Sequence, residues 1–305
     1  MPSLNRLALP LITALLAAGA HAGPINLGLD PSLNLLAFGN MNVSSSDVEG
    51  RVAVGGNANI SGYSINTKNG SGALYAGTGL TVGGNLSFSS GTVWGGVQVG
   101  GSYTPNNSGT VKGTVQSGSG FDFTGELTRL NQLSQSWDAL TNTGSVVDQW
   151  GTLHFNAAGQ TLAVFDISAA DLLKNLQIDA LASDAQVLIN VHGSSVDFGN
   201  HGYTGFNKSQ VIFNLVDATS VLLNGGINGS LLATNATVNQ GWGQINGQVV
   251  VRDWNTSMQV NDAPLPGTPV RPQTPTAQAL PEPGSLALVA LGLGAAFAAR
   301  RRRKG

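Results

Sequence analysis

The chain contains no cysteine. Disulfides, thiolate metal sites and thiol nucleophiles are thereby excluded, and the fold must rest on packing and backbone hydrogen bonds. Charge is scarce as well: only 10% of the 305 residues are Asp, Glu, Lys or Arg. Six of the 14 basic residues (Arg6 and the block Arg300-Arg301-Arg302-Arg303-Lys304) sit at the two ends, with one of the 16 acids, Glu282. The region between keeps eight basic and 15 acidic residues, a net charge of −7. Nucleic acid is excluded as a partner, because phosphate contacts need clustered Lys and Arg. Also missing are a Gly-x-Ser-x-Gly elbow, a phosphate-binding Gly-x-x-x-x-Gly-Lys loop and an EF-hand loop, so nothing implies a cofactor. What the chain has in quantity is Gly, Asn, Ser, Thr and Val, the composition of a β-rich, turn-dense exported protein.

Both ends read as processing signals, each with an apolar helical segment. Arg6 precedes an apolar run from Leu7 to Ala18, and Ala20-His21-Ala22 follows as an A-x-A site. Signal peptidase is expected to cut after Ala22, so that residues 1–22 leave. At the other end stand Pro281-Glu282-Pro283, an apolar run from Ser285 to Ala299, and the basic block Arg300 to Lys304. As a helix the apolar run spans about 22 Å, short of the ~20 residues of a stable span. It suits transient residence in the membrane, with the basic block on the cytoplasmic side. An ordinary C-terminal anchor is the alternative. A sortase motif fits less well, because Pro283 stands where that motif needs Thr. In order and position, residues 281–305 resemble a PEP-CTERM sorting signal. The resemblance implies an exosortase-type processing enzyme and a Gram-negative producer of extracellular polysaccharide. Seven of the twelve prolines fall between Asp262 and Pro283, so residues 263–280 form an extended, semi-rigid linker.

Between the ends a pattern recurs: aliphatic, any residue, Gly, any residue, aliphatic. It occurs at Val48-Glu49-Gly50-Arg51-Val52, Val93-Trp94-Gly95-Gly96-Val97 and Val111-Lys112-Gly113-Thr114-Val115. It returns at Ile227-Asn228-Gly229-Ser230-Leu231 and Ile245-Asn246-Gly247-Gln248-Val249. Gly95 to Gly113 is 18 residues, and so is Gly229 to Gly247. Short alternating strands at this period predict a mainly β fold, a parallel β-helix or solenoid whose stacked coils share one core. A sandwich or meander with Gly-rich hairpins is the alternative. Alternation places Val48, Val93, Val111, Ile227 and Ile245 inside, with the next aliphatic positions beneath them. Strand-like runs also occur at 161–165, 187–191 and 211–215, and Asp171 to Asn175 reads as a short helical turn. Leu127, Leu130, Leu133, Trp137 and Leu140 fall at helical steps, predicting one flanking α-helix over about 124–141.

Phe38-Gly39-Asn40-Met41-Asn42, Ser46 to Asn57 (above all Asp47 to Asn57) and Ile227 to Val251 resemble the choice-of-anchor A family of bacterial surface proteins. The resemblance covers most of 27–262, so the domain is taken as 23–262. It implies a β-helical adhesive domain and carries no catalytic residues.

The remaining chemistry is thin. His192, Asp197 and His201 lie within ten residues, but their spacing matches no standard ligand set, and they read as polar loop residues. Asn-x-Ser/Thr triplets such as Asn42-Val43-Ser44 read as accidents of composition. The second position of the repeat is Glu49, Trp94, Lys112, Asn228 and Asn246, a mostly polar column that should face outward. Trp94 is then an exposed aromatic on a flat face and a candidate glycan contact, because a flat ring stacks on sugar C–H surfaces. The expectation is a non-enzymatic adhesin, exported to the cell surface or matrix, that binds glycan or biofilm matrix through a solenoid face. The alternatives are a polysaccharide lyase or hydrolase on the same scaffold, or a purely structural matrix component.

Overall fold

The computed structural model describes residues 25–69 and 77–266. The two signal segments and nearly all of the linker lie outside the described residues. Within them, strict alternation makes the strands: Met41–Ser44 and Ala58–Ser61 each bury the first and third residue and expose the second and fourth, the period-two signature of a half-buried strand. Strands end at Gly and Asn corners, and three successive strands close one coil. Neighbouring coils then pair strand on strand in three ladders, called here faces A, B and C, face C running through Ile227–Asn228, Gln244–Asn246, Gln259–Asn261, Asp47–Val48 and Ser64–Ile65. Among the described pairings only Ser145–Gln149 with Thr152–Asn156 is antiparallel; every rung of the three faces is parallel. A sandwich or a meander of hairpins is thereby ruled out, and the solenoid expectation holds.

Face A has ten rungs, and their spatial order departs from sequence order. From one end they run Leu162–Ser168, Gln186–His192, Val211–Asn214, the start of Ser230–Gly241 and the start of Val249–Trp254. Next comes Leu33–Ala37, pairing Leu36 with Val250. Arg51–Val54, Thr78–Val82, Gly96–Val99 and Val115–Ser117 complete the ladder. The chain therefore starts mid-stack, winds to one tip, returns to the other tip and winds back to its own beginning.

The return is made by helix α1 (Phe123–Asp138). Asp122 caps it by accepting a hydrogen bond from the Gly125 N–H. Sixteen residues cover about 24 Å, roughly half of the ~43 Å that ten rungs occupy. Leu130 and Trp137 are buried against Leu36, Leu188, Ile212, Leu232 and Val250 on the outside of face A. This second core explains why strands such as Leu33–Ala37 and Val211–Asn214 are buried on both sides. The inner core is lined by Leu35, Val52, Ile60, Phe88, Phe165, Phe213 and their neighbours. Polar side chains fix the helix to its rungs. Ser134 donates to Asn214 Oδ1 at 2.6 Å, and Asn214 Nδ2 reaches back to the Ser134 carbonyl at 3.0 Å. Asn190 Nδ2 reaches the Trp137 carbonyl at 3.1 Å.

Three sequence expectations need correction. The helix stops at Asp138 rather than 141: Ala139 N–H turns back to the Gln135 and Trp137 carbonyls, and Leu140 packs on the same cluster from beyond the helix. The helical turn expected at 171–175 is a short 3-10 turn at Ala169–Leu173. Val48, Val93, Ile227 and Ile245 are fully buried as expected, but Val111 is half-buried and Val115 is 42% exposed. Val115–Ser117 is the last rung of face A, with no further coil to cover it.

Candidate binding surface

Face B presents the most regular surface among the described residues. Its inward positions are Met41, Val43, Ala58, Ile60, Leu86 and Phe88, all buried. The residues between them point out. In register across neighbouring coils stand Asn42, Asn59, Ser87 and Thr104, and beside them Ser44, Ser61, Ser89 and Asn106. The first column continues past Asn42 through Asn255 to Asn239: Asn42 Nδ2 donates to Asn255 Oδ1 at 2.8 Å and Asn255 Nδ2 to Asn239 Oδ1 at 3.1 Å. The second continues to Ser257, whose Oγ accepts from Ser44 N–H at 3.1 Å. These two columns contain no charged side chain. Rungs are about 4.8 Å apart and the columns about 7 Å apart, which makes a flat lattice of small hydroxyls and amides.

The corner joining faces A and B keeps this lattice in register. The Asn40 N–H donates to Asp253 Oδ1 (2.8 Å), Asn57 N–H to Asn40 Oδ1 (3.0 Å), Asn85 N–H to Asn57 Oδ1 (2.8 Å) and Ser102 N–H to Asn85 Oδ1 (2.8 Å). Each side chain thus satisfies a backbone group of the next coil, which a corner leaves without a ladder partner. Glycine precedes these residues of necessity: a Cβ on Gly84 would stand 2.6 Å from Asn57 Oδ1. Burial by itself would raise the Asp253 pKa, but the Asn40 N–H, then Arg252 and Thr237, hold its carboxyl below the usual range.

Trp94 departs from its expected setting. It lies at a bend between strands, half-buried, rather than on a flat exposed face, and the Lys112 ammonium stands 5.4 Å from its ring centroid. The outward column itself is real: Asn246 Nδ2 donates to Asn228 Oδ1 and Asn261 Nδ2 to Asn246 Oδ1, both at 2.8 Å. His192, Asp197 and His201 do not converge. His192 lies 3.6 Å from both Asp138 and Asp217, Asp197 accepts from Asn224, and the His201 ring packs on Tyr203. Among the described residues no group of three or more His, Cys, Asp or Glu could hold a metal ion. No helix among them is long and apolar enough to cross a membrane; the two terminal apolar runs are not described.

Residues 31–262 match the family described as "Putative Ice-binding-like adhesive domain". The chain belongs to that family. Its domain is an adhesive module, not a catalytic one, so the lyase or hydrolase alternative falls away. Residues 279–303 match the PEP-CTERM protein-sorting motif. Adhesive domain and sorting motif together describe an exported, cell-surface-associated protein that is subject to exosortase-type processing. Comparison with curated proteins finds no match. Two solved structures are similar at 12% identity. An ice-binding protein from an Antarctic biological consortium has a TM-score of 0.36, covering 84% of this chain and 94% of its own. The ice-binding protein of the Antarctic ascomycete Antarctomyces psychrotrophicus has a TM-score of 0.30, covering 79% and 96%.

The face B lattice was missed in the sequence. Its signal is there: Met41-Asn42-Val43-Ser44, Ala58-Asn59-Ile60-Ser61 and Leu86-Ser87-Phe88-Ser89 share one alternation of aliphatic and small polar residues.

Proposed function

We infer that the protein is a surface adhesin of the choice-of-anchor A type that holds extracellular polysaccharide or biofilm matrix on face B. In this reading signal peptidase cuts after Ala22, and residues 23–262 form the adhesive domain on the linker 263–280. Ser285–Ala299 rests briefly in the inner membrane of a Gram-negative cell, and an exosortase-type enzyme acts near Pro281-Glu282-Pro283. Support comes chiefly from the two uncharged columns of Asn, Ser and Thr. A polymer of repeating sugars offers hydroxyls at regular intervals, and a lattice of fixed donors and acceptors meets them without ordering long side chains. The two ends of the described domain lie elsewhere: Ile25 and Leu265 both pack in the outer layer of face A. Trp94, under Lys112, is a second proposed glycan contact outside the lattice.

The test is retention of the full-length protein on the exopolysaccharide of the producing organism, with release of new sugar ends scored in the same tube. Asn42→Lys with Asn59→Lys should abolish retention while leaving Tm within about 2 °C, because exposed substitutions cost little stability. Unchanged retention of this variant would reject face B. Neither binding nor cleavage by the wild type would favour the purely structural role.

The family description raises a second reading, favoured by the same flat lattice: face B orders water at an ice surface. Thermal hysteresis in the wild type that disappears in the double Lys variant would establish it in place of the matrix reading.

A further inference from the structure

Two exposed tryptophans share one edge of the solenoid, the corner between faces B and C. Trp150 tips the antiparallel hairpin of Ser145–Gln149 and Thr152–Asn156 and is fully exposed, at 102%. Its φ is +56° and that of Gly151 is +80°, the two left-handed positions of a tight hairpin turn that normally reads Asn-Gly. A bulky aromatic is disfavoured there, and its ring gains no packing in return. The tip is nevertheless held firmly. Gly151 N–H donates to Asp148 Oδ1 at 3.2 Å, and Asn175 N–H to the Gly151 carbonyl at 3.2 Å. Lys174 Nζ bridges Asp148 at 3.0 Å and Asp171 at 2.9 Å. Trp242, 52% exposed, stands between Gly241 and Gly243 on the same edge, its backbone N–H donating to the Leu223 carbonyl.

The coils between them can be counted. Gly151 adjoins Asn175, whose Oδ1 accepts from the Gly202 N–H. Asn200 adjoins Gly225, and Gly226 adjoins Gly243. That is four rungs, about 19 Å. The edge between the two rings is low and mixed: Asn200 is exposed, Asn224 is half-buried, Gly225 and Gly226 add no side chain, and the exposed Leu173 and the His201 ring stand beside Gly199. Lys174 is the one lysine or arginine among these edge residues, and two carboxylates already share it.

We propose that Trp150 and Trp242 are paired stacking platforms for a single strand of neutral polysaccharide lying along this edge. Each indole offers an apolar face to the C–H surface of a sugar ring, and the amides between them meet hydroxyls. The local excess of carboxylate disfavours polyanions and anionic membranes alike. The proposal deepens the reading above, that the protein holds polysaccharide, by assigning it a site separate from face B.

The test uses full-length protein and its Trp150→Asn, Trp242→Ser and doubly substituted forms. Each is sedimented with amorphous cellulose and laminarin as neutral glycans, alginate as an anionic one, and phosphatidylglycerol vesicles. Wild-type protein should be retained on at least one neutral glycan. Each single change should weaken that retention roughly 5-fold and the pair about 25-fold. Asn is at home in the left-handed turn, so Trp150→Asn should keep or raise Tm, and a loss of binding in it cannot be a loss of folding. Retention of both single variants at the wild-type level, no retention of the wild type on either neutral glycan, or Trp-dependent retention on vesicles would each overturn the proposal. Asn42→Lys with Asn59→Lys is run beside them. Loss in that variant alone sinks the edge and leaves face B standing; loss in the Trp variants alone does the reverse.

Discussion

At the residue scale, side chains on this scaffold divide by whether a neighbour in the next coil shares their role. Asn42, Asn59 and Asn255 repeat one position and so form a surface; Trp150 and Trp242 repeat only a corner. The sequence displayed the first set as alternation, yet Asn42-Val43-Ser44 resembled a chance triplet, because in-register columns become visible only once the coil length of each turn is known. Trp94 sits half-buried rather than on a flat exposed face for a related reason. Its column does face outward, but the column lies at a bend, where Lys112 from the next coil reaches over the ring. Trp94→Ala should therefore reduce glycan retention modestly and leave Tm nearly unchanged, measured by polymer sedimentation and thermal melting. A large fall in Tm would make the ring part of the core instead.

At the element scale, helix α1 was legible from its stripe of leucines, because amphipathic periodicity reports the buried face directly. Its purpose was not. The buried partners Asn190 and Asn214 sit inside apolar strand runs, where nothing local marks them as anchors for a helix many residues away. Asn214→Ala removes both bonds to Ser134 and leaves the Ser134 groups buried without their partner. It should cost about 1–3 kcal/mol in denaturant unfolding, while Ser136→Ala, on the exposed side of the helix, should cost little. Asp253 gives the corner ladder an acid limit. Its folded pKa lies below its unfolded value, so its contribution is present above about pH 4 and is lost as pH falls through the lower, folded value. Wild-type Tm should drop over that acid range more steeply than that of Asp253→Asn, as melts between pH 2 and 6 would show.

At the scale of the whole molecule, the class of fold was readable from the 18-residue spacing of Gly95 to Gly113 and of Gly229 to Gly247. The order of the coils was not, because each repeat specifies a stacking surface without naming the coil that stacks on it. Ile25 and Leu265 pack in one cluster, and the turn at Gly118 and Gly120 takes left-handed backbone angles at the far tip. A circular permutant that joins residue 266 to residue 25 through a short linker and opens the chain at 119 should therefore fold and melt within a few degrees of the parent.

The pairing of Leu36 with Val250 also sets a schedule. The first coils to be synthesised bury most of their surfaces early, yet Leu33–Ala37 keeps an open edge until Val249–Trp254 has been made and delivered across the membrane. Contacts of such sequence separation form slowly. Until the last coil arrives, the first half waits with a strand edge that any other unfinished copy could pair with. Half-delivered chains at high local density are therefore expected to pair wrongly more often than complete ones.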